Sequence, residues 1–146
     1  MVNQLIEKSI AEYLQSFKED YKQEGFDFEI YSDLDEIKIT GYHNNISNPN
    51  EKTPFVLLRL FILQECKQIQ ISNIFLPNFM RHRAIGKKII SNIFAISKEQ
   101  EYELFIVDMV NSFYQRMKNR GAIPCSNCDD AVQIIDTTNL NSRNIL

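Results

Sequence analysis

Residues 81–88 read Arg-His-Arg-Ala-Ile-Gly-Lys-Lys, with Arg81, Arg83, Lys87 and Lys88 as cations and no carboxylate among them. They stand where a strand pattern gives way to a helix pattern, and that junction has a chemistry of its own. Backbone N–H groups at a helix start have no intrahelical acceptor, and the helix dipole places partial positive charge there. With formal charge from Arg81, Arg83 and Lys87 added, these donors suit an anion, phosphate above all. Small residues at Ala84 and Gly86 would let a phosphate approach the backbone closely. The same residues also suit an ordinary helix start whose cations are solvated.

A second candidate is Cys125-Ser126-Asn127-Cys128. Two thiolates at this spacing can chelate zinc or form a redox pair. A structural zinc needs four ligands, and only Cys66, His43 and His82 could complete the set. A thioredoxin-like pair belongs at a helix start after a strand, whereas this one follows Pro124 in a segment that reads as a loop. Two incidental thiols in a turn are the plain alternative, and an odd count of three cysteines fits free thiols.

The elements around the basic turn follow from periodicity. Val2, Leu5, Ile6, Ile10, Tyr13, Leu14, Phe17 and Tyr21 fall at three- and four-residue spacings, one apolar stripe of a helix over residues 2–22 that ends near Gly25. Phe26, Phe28 and Ile30 alternate with polar neighbours, and Ile37 and Ile39 repeat the pattern across a short acidic turn, which reads as a hairpin. Residues 43–53 read as a polar loop, and PFVLLRLFIL (54–63) as a central strand. From Gln68 to Leu76 the alternation of Ile69 and Ile71 slips at Asn73 and resumes out of phase at Ile74 and Leu76. That slip fits either a β-bulge or a strand that ends near Ser72. After Pro77 a helix carries Ile85, Ile89, Ile90, Ile93 and Phe94 on one face. LFIVDMV (104–110) reads as a strand, 112–120 as a short helix with Gly121 as C-cap, and DAVQIID (130–136) as a last strand. The alternation over residues 68–136 predicts an α/β layered fold whose two middle strands run parallel.

Length and composition bound the class. A chain of 146 residues with 44% apolar and 24% charged side chains predicts a single domain over 1–146 with a real core. No apolar run approaches the roughly 20 residues of a membrane span, and the first residues lack the pattern of a secretory signal. A cytoplasmic protein without a membrane partner is the expectation. The net charge of −3 does not mark a nucleic-acid binder, and no nucleic-acid partner is expected. Charge is unevenly spread: residues 1–50 hold four basic and ten acidic side chains, the rest twelve basic and nine acidic. A basic site on an acidic chain points to a confined anionic ligand.

Arg81-His82-Arg83-Ala84-Ile85-Gly86 resembles the acyl-coenzyme-A-binding motif of the GCN5-related N-acetyltransferases (GNAT), Q/R-x-x-G-x-G/A between a strand and the following helix. Arg81 and Gly86 match, Ala84 stands in place of the first glycine, and Ile85 is the frequent aliphatic residue. Pro77 lies just upstream, and Asn111 before a Phe-Tyr helix closed by Gly121 resembles the family's second block. The likeness covers roughly residues 68–136.

The resemblance implies a GNAT-like three-layer fold: a mixed, mostly antiparallel sheet with a splayed parallel central strand pair, flanked by helices. It also implies acetyl-CoA as cosubstrate, no metal, and acetyl transfer to the amine of a small-molecule or protein acceptor. The pyrophosphate would rest on residues 81–87, the pantetheine arm and thioester beside Asn73, Ile74, Phe75 and Leu76, and Asn111 would belong to the binding site. The family's acid is often a tyrosine four residues before the closing glycine, where this chain has Met117. Tyr114, one turn earlier on the same face, is the candidate in its stead, or else an aromatic packed with Phe113. No carboxylate lies on strand 68–76, so Asp108 and His82 are the nearest candidates for a base. A GNAT-fold binding or regulatory protein with little or no turnover is the alternative function. Asp33, Asp35 and Glu36 are expected near the acceptor mouth, favouring a cationic acceptor, or else as a solvated acidic face. An exposed strand edge near the C-terminus could support a homodimer.

Overall fold

The apolar stripe of the first residues forms helix α1 (Val2–Asp20) in the computed structural model, which describes residues 1–127 and 129–141. Val2, Ile6, Ile10 and Leu14 are buried along it. The hairpin follows as β1 (Asp27–Ser32) and β2 (Glu36–Asn44), antiparallel with Ile30 opposite Ile39. Its turn is fixed by Asp33, whose carboxylate accepts from the N–H groups of Asp35 and Glu36, both at 2.9 Å. The long apolar run becomes β3 (Lys52–Leu63), and β4 (Gln68–Ile74) pairs with it antiparallel.

A 3-10 turn (Asn78–Met80) leads to helix α2 (Ile85–Glu99), then β5 (Glu103–Ile106), helix α3 (Asn111–Asn119), β6 (Ile123–Pro124) and β7 (Val132–Ile134). The sheet order is β1-β2-β3-β4-β5-β7-β6, with β4 and β5 parallel and every other pair antiparallel. This mixed, mostly antiparallel sheet with a central parallel pair and flanking helices is the fold class expected above.

Two elements differ from the expectation. The strand expected over 104–110 stops at Ile106, because Asp108 takes a left-handed φ of 54° that no strand continues through. A two-residue strand, β6, had no periodic signal and exists by pairing with β7. The C-cap at Gly121 is as expected: its φ of 95° lets Gly121 N–H reach Lys118 O and Ala122 N–H reach Met117 O, each at 3.0 Å.

The core lies on one face of the sheet. Ile39 and Leu58, Leu60 and Ile71, Ile69 and Leu104, and Ile106 and Val132 are register partners, and all are buried. They form one cluster with the α1 stripe and with Ile85, Ile89, Ile90 and Ile93 of α2. Full burial of each such side chain stabilises the fold by about 1.5–3 kcal/mol relative to exposure. The packing of α2 onto the sheet therefore sets where its N-terminus stands, at the carboxyl end of β4.

Candidate functional site

The parallel ladder between β4 and β5 is short. It runs from Gln68–Glu103 to Ile71–Ile106 and closes with Val107 N–H on Ile71 O at 2.8 Å. Just past it β4 contains a bulge: Leu60 pairs with Ile71 and Arg59 with Asn73, which leaves Ser72 as the extra residue. This is where the sequence alternation slipped, and of the two readings the bulge is the one the structure has. A bulge bends its strand and raises its twist. The chain then stays with β3, through Phe75 N–H on Leu57 O at 2.9 Å and Asn73 Nδ2 on Val56 O at 2.8 Å. It has left β5.

The turn that follows is held by two of its side chains. Met80 is fully buried and anchors the 3-10 turn, while Arg81 Nε donates to Leu76 O at 2.8 Å and its guanidinium lies 5.5 Å from the Phe75 ring. His82 and Ala84 both take left-handed conformations, with φ of 62° and 61°. Ala84 is the N-cap of α2 and makes no side-chain cap hydrogen bond. The first intrahelical bond is Lys88 N–H to Ala84 O at 3.0 Å, so the N–H groups of Ile85, Gly86 and Lys87 precede the helical ladder. The first turn of α2 carries no acidic residue. A Cβ added at Gly86 would stand 3.7 Å from the Cδ1 atoms of Ile74 and Leu76, ordinary contact, so the fold itself tolerates alanine there.

A cavity of about 990 Å³ opens over this turn, bounded by Ile74–Leu76, by Arg81–Lys87 with Ile90, and by Val110, Phe113, Arg116, Met117 and Arg120 across from them. Five cations line it (Arg81, Arg83, Lys87, Arg116 and Arg120), and no carboxylate does. Among the described residues the ion pairs are Lys18–Asp27, Arg59–Glu36 and Lys98–Asp136, none of them in the cavity. Burial, together with the charge of Arg120, holds the Lys87 ammonium below the ordinary lysine pKa. Five like charges on one lining give the cavity a positive potential, which attracts anions.

The structure brings Ile74, Phe75, Leu76, Arg81, His82, Arg83, Ala84, Ile85, Gly86 and Lys87 together on this cavity. Asn111 and Tyr114 are not on its lining. Asn111 is exposed at the first position of α3, and Tyr114 is half-buried against the core with Lys118 Nζ 6.0 Å from its ring. Met117, buried to 2% exposure, lines the cavity instead. Asp108 is exposed and off the lining. Arg116 and Arg120 are the residues that sequence reasoning missed. Their i, i+4 spacing on a helix that also carries Phe113 and Met117 was the available signal.

The acidic turn is not where it was expected. Glu36 pairs with Phe61 and Leu63 with Gln68, whereas Ile74 pairs with Leu58, so Asp33, Asp35 and Glu36 lie at the opposite end of the sheet from the cavity. Register fixes this, because β1 must run away from the carboxyl end of β4. The side of the 74–76 segment away from Ile74 and Leu76 is aromatic instead: Phe75 contacts Phe55, Phe55 contacts His43, and His43 contacts Phe79 at centroid distances of 5.9, 5.7 and 6.1 Å. Gly41 makes room for the Phe55 ring, which any Cβ at that position would overlap.

Cys128 lies outside the described residues, so whether it and Cys125 form a zinc or redox pair or are two incidental thiols lies outside them too. Cys125 N–H bonds Ala131 O at 3.0 Å in the β6–β7 connection. Among the described residues no three His, Cys, Asp or Glu side chains converge to hold a metal, and no helix is long and apolar enough to cross a membrane.

No protein-family model matches the chain, and no curated protein matches it. Among solved structures, the crystal structure of a "putative acetyltransferase" from Agrobacterium tumefaciens aligns over 87% of this chain and 86% of its own, with a TM-score of 0.40 and 17% identity.

Proposed function

We propose that this chain binds acetyl-coenzyme A and transfers its acetyl group to the amine of an acceptor. The observation that carries the proposal is a cationic, carboxylate-free cavity placed where β4 parts from β5. Ligands of open sheets bind beyond the carboxyl ends of strands, where neighbouring strands lead apart. The N–H groups of residues 85–87, with Arg81, Arg83 and Lys87, would hold a diphosphate. The β4 edge past Ile71 offers backbone groups to an extended amide-bearing arm, and Ile74 and Leu76 an apolar wall beside it.

Acetyl-CoA, when bound, would supply an activated thioester. The chain must orient it, admit an amine as its free base, and let a proton reach the departing thiolate sulfur. On the cavity lining, His82 is the side chain whose ring nitrogens can both accept and donate a proton. Tyr114 would have to swing from its packed position to act as the acid. Neither a tyrosine nor a carboxylate lines the cavity, and that favours a second reading, a coenzyme-binding protein with little or no turnover.

Two measurements separate these. Coenzyme A at 100 times its dissociation constant should stabilise the protein by about 2.7 kcal/mol, a midpoint rise of roughly 5–10 °C. No shift at millimolar ligand would defeat both readings. Thiol release from acetyl-CoA with a panel of amines then decides turnover, and Tyr114→Phe and His82→Gln assign the proton transfers.

A further inference from the structure

A diphosphate on the turn and helix start accounts for Arg81, Arg83 and the first amides of α2, and leaves two arginines on the facing wall without a partner in that scheme. Arg116 and Arg120 stand one turn apart on the C-terminal half of α3 and its cap, and both line the cavity. Arg120 is held in place, since its Nη1 donates to Asn139 O at 3.1 Å. Arg116 lies 5.6 Å from the Phe113 ring, along its own helix. Lys87 of α2 lines the same cavity as both arginines. Three cations from two helices thus meet with no carboxylate on the lining. A diphosphate alone is far smaller than a cavity of about 990 Å³, which is near the upper end for a drug-sized ligand.

We infer that Arg116 and Arg120, beside the diphosphate cradle to which Lys87 belongs, form a second anion subsite that takes a phosphomonoester on the nucleoside end of the same ligand. The cavity is then selective for a coenzyme with three phosphates over its analogue with two. This rests on the acyl-coenzyme reading above and adds to it the group that is recognised. Arginine suits the task, because its planar fork meets phosphate oxygens two at a time.

The test is calorimetric titration of the full chain with coenzyme A and with dephospho-coenzyme A, which lacks the 3′-phosphomonoester. The unaltered protein is expected to prefer coenzyme A by roughly ten- to a hundredfold, the scale of one hydrogen-bonded charge pair. Arg116→Gln with Arg120→Gln should bring coenzyme A down to the affinity of the dephospho form and leave the latter nearly unmoved. Equal binding of the two ligands by the unaltered protein would overturn the subsite while leaving the acyl-coenzyme reading standing. Binding of neither would overturn that reading and the subsite with it. A preference retained in the double variant would remove these arginines from the assignment. The comparison on the unaltered protein needs no variant to fold.

Discussion

Replacing Ala84 by glycine should stabilise the protein, although it deletes a methyl group and adds freedom to the unfolded chain. Ala84 has φ 61° and ψ 19°, the left-handed region, at the N-cap of α2. For a residue with a Cβ that conformation costs about 1–2 kcal/mol, which glycine does not incur. The unfolded chain gains freedom that returns about 0.4–1 kcal/mol of the difference. Glycine also ranks above alanine as an N-cap, a small gain in the same direction. The net is a stabilisation of about 0.5–1 kcal/mol. In a chain of this length that is a midpoint rise of roughly 1–4 °C. Urea unfolding measures it directly, and Ala84→Val should move the other way, since a β-branched residue fits positive φ worse still. If the glycine variant unfolded at lower urea with an unchanged m-value, the left-handed assignment at Ala84 would be wrong, and with it the description of the turn that shapes the cavity.

Other expectations follow from single contacts. Gly41→Val should cost about 1–3 kcal/mol by displacing the Phe55 ring, and part of the loss should vanish when Phe55→Ala is added; strict additivity in that double-mutant cycle would show the two do not touch. The Asp33 carboxyl is held below the ordinary carboxylate range by the N–H of Asp35, the Tyr31 hydroxyl and the N–H of Glu36. Its stabilisation is therefore complete above the unfolded value of about 3.9 and fades as pH falls through the lower folded value. Asp33→Ala should lower stability at neutral pH and flatten the acid limb, and an unchanged acid limb by circular dichroism would speak against it. Ile93→Ala, on the buried face of α2 with 0% exposure, should cost about 2–5 kcal/mol in chemical denaturation; a loss under 1 kcal/mol would mean that α2 is not packed as described.

Much of this was legible because it is local. The α1 stripe, the hairpin, the bulge beside Asn73 and the basic turn all reside within short stretches whose periodicity or composition is visible in the chain. What escaped notice depends on distant segments meeting. Arg116 and Arg120 look like any solvated pair on a short helix until α3 is laid across from the start of α2. The strand Ile123–Pro124 has no alternation to read and forms only because β7 lies beside it. Asp33, Asp35 and Glu36 lie away from their expected place because their end of the sheet depends on strand direction and register, which no single segment states. Tyr114 and Met117 were weighed by position along a helix, whereas which of them meets the cavity depends on the rotation of α3 about its axis.

The crowding of positive charge around one opening also bears on how the protein should be handled. On the proposed reading, sulfate, citrate and phosphate would not be bystanders for such a molecule. Each would be a weak occupant of the native form and so would raise its apparent melting point by mass action. A preparation dialysed into a buffer of monovalent anions is then the reference state, and stabilities recorded in different buffers compare two partly occupied proteins.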